Sequence, residues 1–164
     1  METPVKKDEK VLKRMLFILS KATLDSVYAC LVMANGARME GIEAEIFFTF
    51  FGLEAINKKR MDNIHINTVG NPGMHIPTML GGLPGMEAIA SKMMKKEMDK
   101  LDMPPVSEFL DIIKASGGKL WGCKLAADMF KLTEDDLYED IDGIITVGDF
   151  YERAAVKGSH IVFV

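Results

Sequence analysis

Runs of apolar residues recur along the chain and are separated by stretches with helical spacing. Three of the runs, at residues 14–20, 43–50 and 120–122, contain consecutive apolar residues rather than strictly alternating ones. Consecutive apolar residues are typical of strands buried on both faces of a parallel sheet. Two shorter runs at 143–147 and 160–164 bring the number of predicted strands to five. We therefore predict an α/β fold in which the first three strands are parallel and the last one is a late or edge strand.

Helical spacing of apolar residues fills most of the intervals between the predicted strands. Thr23 stands at the N-cap position of the first helix and Gly41 follows its end, while Ser107 and Gly117 bracket a later helix in the same way. Strand, helix and strand in so short a stretch form a right-handed βαβ unit. The predicted helices cover residues 23–39, 54–58, 86–101, 107–116, 124–130 and 148–157.

The stretch from residue 61 to residue 103 differs in composition from the rest of the chain. We predict that it is an irregular Met- and Gly-rich insertion in a single domain that spans residues 1–164. Flexible methionines suit a surface that repacks against a partner or covers a pocket, and ordinary filling of a core is the alternative. Because so apolar an insertion is poorly solvated, we expect it to pack against another subunit of a homo-oligomer. Eight of the chain's 13 methionines lie in it, at positions 61, 74, 79, 86, 93, 94, 98 and 103.

The predicted helix at 86–101 is amphipathic and basic. The residues expected to face inward are Met86, Ala90, Met93, Met94, Met98 and Leu101, and those expected to face outward are Lys92, Lys95, Lys96 and Lys100. Such a helix can lie on a membrane surface, although lysines of this kind more often form only a solvated face. No apolar run reaches the roughly 20 residues that span a bilayer. The charged first ten residues are not followed by the apolar core of a signal peptide either.

Composition narrows the possible functions. The chain has 164 residues, of which 48% are hydrophobic and 27% charged, and this suits one globular domain. A net charge of -4 argues against nucleic-acid binding, which needs a dominant basic surface. The two cysteines fall in different predicted elements and suit a reducing compartment better than a disulfide framework. We therefore expect a cytoplasmic protein.

Cys123 is the main candidate for chemistry, because it stands where a predicted strand passes into a predicted helix. The first turn of a helix offers unpaired N–H groups, and Lys124 adds a positive charge; both favour the thiolate form. A thiolate at this position could attack sulfur. The alternative is that Cys123 is a small buried residue that closes the strand. Cys30 lies on the apolar stripe of the first helix and is expected to pack in the core.

The carboxyl ends of parallel strands gather at one edge of a sheet, where ligands bind in open α/β folds. The loop at 20–25, the turn at 50–52 and Cys123 should therefore share one edge. Dinucleotide, nucleotide-triphosphate and hydrolase motifs are missing from the sequence, and the three histidines lack metal-ligand spacing. We predict no cofactor and no metal site. The predicted substrate-binding residues around Cys123 are Thr23, Asp25, Gly52, Gly122 and Lys124.

Several motifs in chain order resemble the DsrE/DsrF-like sulfur-relay family, in its long-insertion branch. They are SKATLD at 20–25, ANGA at 34–37, IFFTFFGL at 46–53, MMKK at 93–96 and GC at 122–123, followed by Asp128. The resemblance covers nearly the whole chain. It implies a three-layer α/β/α sandwich with a mainly parallel five-stranded sheet, frequent homo-oligomers and, in several members, a cysteine that carries persulfide sulfur or thiosulfate. By this motif the sulfur-bearing residue is Cys123.

Two functional hypotheses follow. In the first, Cys123 accepts sulfane sulfur from a donor protein as a persulfide or thiosulfonate and passes it to the thiol of an acceptor protein, as a sulfur carrier or sulfurtransferase. In the second, the protein is a non-enzymatic interaction or scaffold module that works through its Met-rich insertion, and Cys123 only packs. Burial of Cys123 with no cavity above it would favour the second hypothesis.

Overall fold

Five parallel strands form one sheet in the computed structural model, which describes residues 12–164. They are β1 (Arg14–Leu19), β2 (Glu43–Phe48), β3 (Lys119–Cys123), β4 (Gly143–Ile145) and β5 (Ser159–Phe163). The strand order is β4-β3-β2-β1-β5, and every neighbouring pair is parallel. The predicted parallel pairing of the first three strands and the edge position of the last one are confirmed. The charged N-terminal stretch lies outside the described residues.

The central strands are buried on both faces, as their composition predicted. Leu16 and Phe17 are neighbours in β1 and therefore point to opposite faces, and both are fully buried. Phe47 and Phe48 of β2 are buried in the same way. The core of the protein therefore extends on both sides of the sheet, which requires helices on both faces.

Helices supply these two outer layers, so the predicted three-layer α/β/α sandwich is confirmed. On one side, α1 (Leu24–Met39) and α4 (Val106–Ala115) pack against each other and against β1, β2 and β3. On the other side, Phe150 of α6 (Val147–Ala154) stacks on Phe47 of β2, with ring centroids 5.0 Å apart. The short helix α5 (Lys124–Phe130) follows β3 directly at the carboxyl edge of the sheet.

The connection after β2 differs from the short helix predicted at residues 54–58. The chain instead forms a 3-10 helix at Phe50–Ile56. Its backbone turns tightly over the end of β1, where the N–H of Gly52 donates to the carbonyl of Ser20 at 3.2 Å. A Cβ atom at Gly52 would lie 2.0 Å from the Leu19 carbonyl oxygen. Only glycine fits this close approach of two backbones.

Neither of the two predicted N-cap side chains caps its helix through a hydrogen bond. Thr23 occupies the N-cap of α1, but its hydroxyl makes no capping hydrogen bond. Ser107 lies inside α4, whose N-cap is Pro105. The backbone N–H and the hydroxyl of Ser107 donate to the two carboxylate oxygens of Asp62 at 3.0 and 2.8 Å. Ser107 therefore ties α4 to the preceding segment.

Residues 61–103 contain four short elements joined by irregular chain. They are the 3-10 helices Met61–Asn63 and Pro72–Met74 and the helices α2 (Thr78–Gly81) and α3 (Met86–Asp99). The amphipathic helix predicted at 86–101 is therefore present and ends two residues earlier.

Helix α3 turns only part of the predicted face inward. Ala90 is buried and Met98 packs against the core, as predicted. Met93 is 67% exposed, and Met94 and Leu101 are exposed as well, so the prediction that these three face inward was wrong. The buried part of α3 is centred on Ser91, whose hydroxyl accepts a hydrogen bond from the Ile66 N–H at 2.8 Å. Because a buried polar group must keep its partner, this bond fixes which side of α3 faces the core.

No helix within residues 12–164 is both long enough and apolar enough to cross a membrane. Peripheral membrane contact through residues 86–101 stays a prediction.

Candidate functional site

Cys123 occupies the strand-to-helix junction expected from the sequence. It is the last residue of β3 and the N-cap of α5, with extended backbone angles of φ -77° and ψ 120°. Its side chain is buried, with only 3% of the residue exposed. Within the described residues its Sγ makes no hydrogen bond. The thiol therefore sits at the carboxyl edge of the sheet but is covered in the isolated chain.

The charge of Lys124, expected beside the thiol, is shared with a neighbour. Its Nζ lies 3.1 Å from both carboxylate oxygens of Asp128, one helical turn further along α5. Both side chains are well exposed. The ammonium is therefore largely compensated, and any effect that it has on Cys123 is weakened by Asp128 and by solvent.

Gly122 packs against apolar side chains. A Cβ atom there would lie 3.4 Å from Ile144, 3.5 Å from Leu137 and 3.6 Å from Ile141. These are ordinary packing distances, so the residue before the thiol belongs to the core. Within the sheet, Cys123 is paired in register with Ile145 of the neighbouring strand β4.

Thr23, Asp25 and Gly52 lie at the same edge of the sheet but apart from the thiol. Thr23 lines a cavity of about 400 Å³ beside the end of β1, Asp25 is exposed in the first turn of α1, and Gly52 packs against the backbone of β1. Strand β2 separates β1 from β3, a lateral distance of roughly 10 Å at normal strand spacing. Cys123 is not among the residues that line the cavity.

An exposed apolar surface lies next to Cys123, and sequence reasoning missed it. Leu125 and Met129 are one helical turn apart on α5 and are both exposed. The exposed Phe51 ring packs on Phe130 at the end of the same helix, with centroids 5.6 Å apart. We call Phe51, Leu125 and Met129 the α5 apolar surface. The spacing of Leu125 and Met129 was the signal available in the sequence.

Cys30 is confirmed as a packing residue. It is fully buried in the core on α1. Burial raises the pKa of its thiol to about 12, from an ordinary value of 9.0. At neutral pH Cys30 is therefore a neutral thiol, unsuited to nucleophilic chemistry.

A buried polar cluster holds α6 to the sheet on the same face as Trp121. Glu45 is only 5% exposed, and its carboxylate accepts a hydrogen bond from the Trp121 indole N–H at 2.7 Å and one from Arg153 at 3.3 Å. The Arg153 guanidinium also lies 3.8 Å from the centre of the Trp121 ring, and Arg14 approaches Glu45 at 3.5 Å. The carboxylate is thus paired, as a buried charge must be.

Among residues 12–164, no three His, Cys, Asp or Glu side chains lie close enough together to hold a metal ion.

Comparisons with known proteins agree with this architecture. The sequence model of the DsrE/DsrF/DrsH-like family matches residues 11–161. The chain is 31% identical over 152 residues to the sulfur carrier protein DsrE2 of Allochromatium vinosum, covering 87% of this chain and 92% of that protein. It is 28% identical over 135 residues to the uncharacterized protein YrkE of Bacillus subtilis, covering 79% and 84% of the two chains.

Two solved structures share the fold. The ychN protein from E. coli superimposes with a TM-score of 0.57 at 12% identity, over 93% of this chain and 100% of that one. Protein MTH1491 of Methanobacterium thermoautotrophicum, whose function is unknown, gives a TM-score of 0.56 at 10% identity, over 93% and 99% of the two chains. At such low identity these likenesses concern the fold alone.

Proposed function

The chain belongs to the DsrE/DsrF/DrsH-like family, and we propose that it is a sulfur-relay protein that carries sulfane sulfur on Cys123. The observation that carries the proposal is the contrast between its two thiols. Cys30 lies fully buried on α1 with a raised pKa. Cys123 lies at the carboxyl edge of the sheet, beside the α5 apolar surface. Similarity to a named sulfur carrier over most of both chains supports the same role.

The proposed chemistry needs one cysteine and no change in overall oxidation state. The Cys123 thiolate attacks the terminal sulfur of a donor persulfide, the bond between that sulfur and the donor's sulfur breaks, and the donor leaves as a thiolate. Cys123 then holds the transferred sulfur as a persulfide. An acceptor thiolate attacks this outer sulfur in the same way, which returns Cys123 to its thiolate form.

Opening of α5 must uncover the thiol, because Cys123 is nearly inaccessible in the isolated chain. The α5 apolar surface offers a place for a donor or acceptor protein to bind next to it. Helix α5 has only seven residues, and short helices at the edge of a domain open at little cost in free energy. We propose that a bound partner displaces the first turn of α5 and so exposes Sγ.

The predicted substrate-binding residues fall into two groups. Gly122 and Lys124 are the sequence neighbours of Cys123 and lie on either side of the residue that would carry the persulfide. Thr23, Asp25 and Gly52 belong to the neighbouring part of the same edge, which a donor bound over α5 would also reach.

The proposal also covers the oligomeric state and the cellular compartment of the protein. We propose one domain with an insertion at 61–103 that packs against a second copy, since Ile89 and Met93 leave an apolar stripe uncovered on α3. Two unpaired thiols fit the reducing cytoplasm.

The second candidate function is an interaction or scaffold module. Burial of Cys123 favours it, because a buried thiol that no partner exposes is only a packing group. In that case the exposed apolar stripe of α3 would be the working surface.

Mass spectrometry of the intact protein separates these two functions. After incubation with a polysulfide donor, the wild-type protein and Cys30→Ser should each gain about 32 mass units per added sulfur, while Cys123→Ser should gain none. A reducing agent should remove the added mass. If Cys123→Ser gains sulfur as the wild type does, or if a folded wild-type protein gains none, the carrier function is wrong.

A further inference from the structure

A second site lies at the carboxyl end of β1, about two strands away from Cys123. The cavity of about 400 Å³ that Thr23 lines is walled by the loop after β1, by the 3-10 helix Phe50–Ile56 and by residues 60–65. We call it the β1 cavity. The lining belongs mainly to the segments that follow the neighbouring strands β1 and β2. Ligands of open α/β sheets bind outside the carboxyl ends of the strands, which is where this cavity lies.

The β1 cavity is lined by several hydrogen-bond donors without a partner among the described residues, and by one carboxylate, Glu54. Within the part of the chain that the structure describes, Lys21, Thr23 and Asn63 line the cavity, and their side chains make no hydrogen bond and no ion pair. Arg60 also lines it and donates no hydrogen bond there, although its Nε lies 3.0 Å from Glu54 Oε2. Donors left without partners at a concave site suit a ligand that brings acceptors.

The charges of the β1 cavity leave one positive charge uncompensated. Arg60 is balanced by Glu54. Glu54 is the one carboxylate among the described residues that line the cavity, and Glu87, 3.7 Å from Nδ1 of His65, is not part of the lining. Lys21 has no such carboxylate among the described residues. The ligand should therefore carry negative charge.

Another cavity in the protein has the opposite balance. Among the described residues, the cavity of about 320 Å³ between α1, α3 and α4 is lined by two carboxylates, Asp62 and Asp99, and one cation, Lys95. A surplus of positive charge is thus a property of the β1 cavity and not of every concave surface in the protein.

We propose that the β1 cavity binds a small tetrahedral oxyanion. Its oxygens accept charge-assisted hydrogen bonds from Lys21 and from the guanidinium of Arg60, and neutral ones from the hydroxyl of Thr23 and the amide of Asn63. Arg60 approaches Glu54 through its Nε, which leaves its two terminal nitrogens to donate to the anion. The site goes beyond the proposed function, because it requires no chemistry at Cys123.

Titration of the full chain with sulfate, followed by backbone amide NMR, tests the site. At constant ionic strength, sulfate should give saturable shifts confined to residues 20–25 and 60–65, and chloride should give none. Lys21→Ala should weaken binding at least about fivefold, because it removes the uncompensated charge. Lys21→Arg should retain most of the affinity. The matched control is Lys92→Ala, which removes an exposed lysine of α3 that lies outside the cavity and should bind sulfate as the wild type does.

Three anions and one background variant complete the design. Sulfate, phosphate and thiosulfate share the tetrahedral shape, but only thiosulfate carries a sulfane sulfur. Similar affinities support a general oxyanion site, whereas a preference for thiosulfate supports the same site as part of sulfur-donor recognition. Binding should persist in Cys123→Ser, even if that variant accepts no sulfur. The proposal is overturned if the shifts never saturate, if Lys21→Ala binds sulfate as tightly as wild type, or if Cys123→Ser abolishes binding.

Discussion

The ring of Phe51 packs against the ring of Phe130, with centroids 5.6 Å apart and a tilt of 42°. This contact joins the 3-10 helix that walls the β1 cavity to the last residue of α5, the helix that begins after Cys123. Much of the Phe51 ring remains exposed. The pair therefore acts as a brace on a helix that is too short to be stable by itself.

Replacing Phe51 tests whether this brace limits access to the thiol. Phe51→Ala removes the ring contact and should let α5 open more often, so the Cys123 thiol should react several times faster with an alkylating agent. Amide hydrogen exchange in residues 124–130 should become faster in the same variant. The matched control is Phe163→Ala, which removes an equally exposed ring from the far edge strand β5 and should change neither rate. Equal effects of the two substitutions would show that Phe51 does not brace α5.

The two thiols should differ in reactivity in the folded protein. Exposure of Cys30 requires α1 to leave the core, whereas exposure of Cys123 requires only the opening of a seven-residue helix. Iodoacetamide at neutral pH should therefore modify Cys123 at least about tenfold faster than Cys30. Peptide mapping by mass spectrometry would locate the label.

Alkylation of Cys30 should stay slow across the pH range in which an ordinary thiol ionises. Its pKa is raised to about 12, so it stays protonated as the pH rises from 7 to 9, and its alkylation should remain slow throughout this window. In urea both thiols are exposed and should react at similar rates, which serves as the control. Equal and slow labelling of both residues in the native protein would mean that Cys123 is a packing cysteine.

The buried carboxylate of Glu45 should make Trp121 important for stability. Trp121→Phe keeps an aromatic ring but removes the indole donor 2.7 Å from the carboxylate, and leaving a buried charge short of a partner costs about 1–3 kcal/mol. Urea unfolding at pH 7 would measure the loss. Lys124→Ala breaks an exposed pair on α5 instead and should cost less than about 0.5 kcal/mol. A similar loss in both variants would contradict the structural role of Glu45.

Local sequence patterns predicted the sheet and the position of Cys123, because both depend on neighbours in the chain. Consecutive apolar residues placed β1 and β2 in the interior, and the change from strand to helix at Cys123 is visible within a few residues. The inward face of α3 was predicted only in part: Ala90 is buried, but Met93 and Met94 are exposed. The buried position of Ser91 involves a hydrogen bond to Ile66, 25 residues away, which the local pattern does not show.

Long-range contacts explain the other gaps between sequence and structure. The Trp121–Glu45 bond joins residues 76 positions apart. The grouping of Lys21 with Arg60 in one cavity likewise follows from the packing of separate segments. The close approach of Gly52 to Leu19 lies within the 3-10 helix Phe50–Ile56, which the structure has where the sequence predicted a helix at 54–58. None of these contacts leaves a periodic trace in the sequence.

The apolar stripe on α3 should govern self-association. Ile89 and Met93 lie one helical turn apart, and both are more than half exposed. An apolar stripe of this kind on a domain of this size is usually covered by another chain. We expect the wild-type protein to sediment as a homo-oligomer at micromolar concentration.

The double variant Ile89→Glu and Met93→Glu should sediment as a monomer, because assembly would bury two carboxylates without partners. Met39→Glu places one such carboxylate on an exposed methionine at the end of α1 and should leave the oligomer intact. A wild-type protein that is monomeric under these conditions, or a double variant that still assembles, would show that α3 is not the contact between subunits.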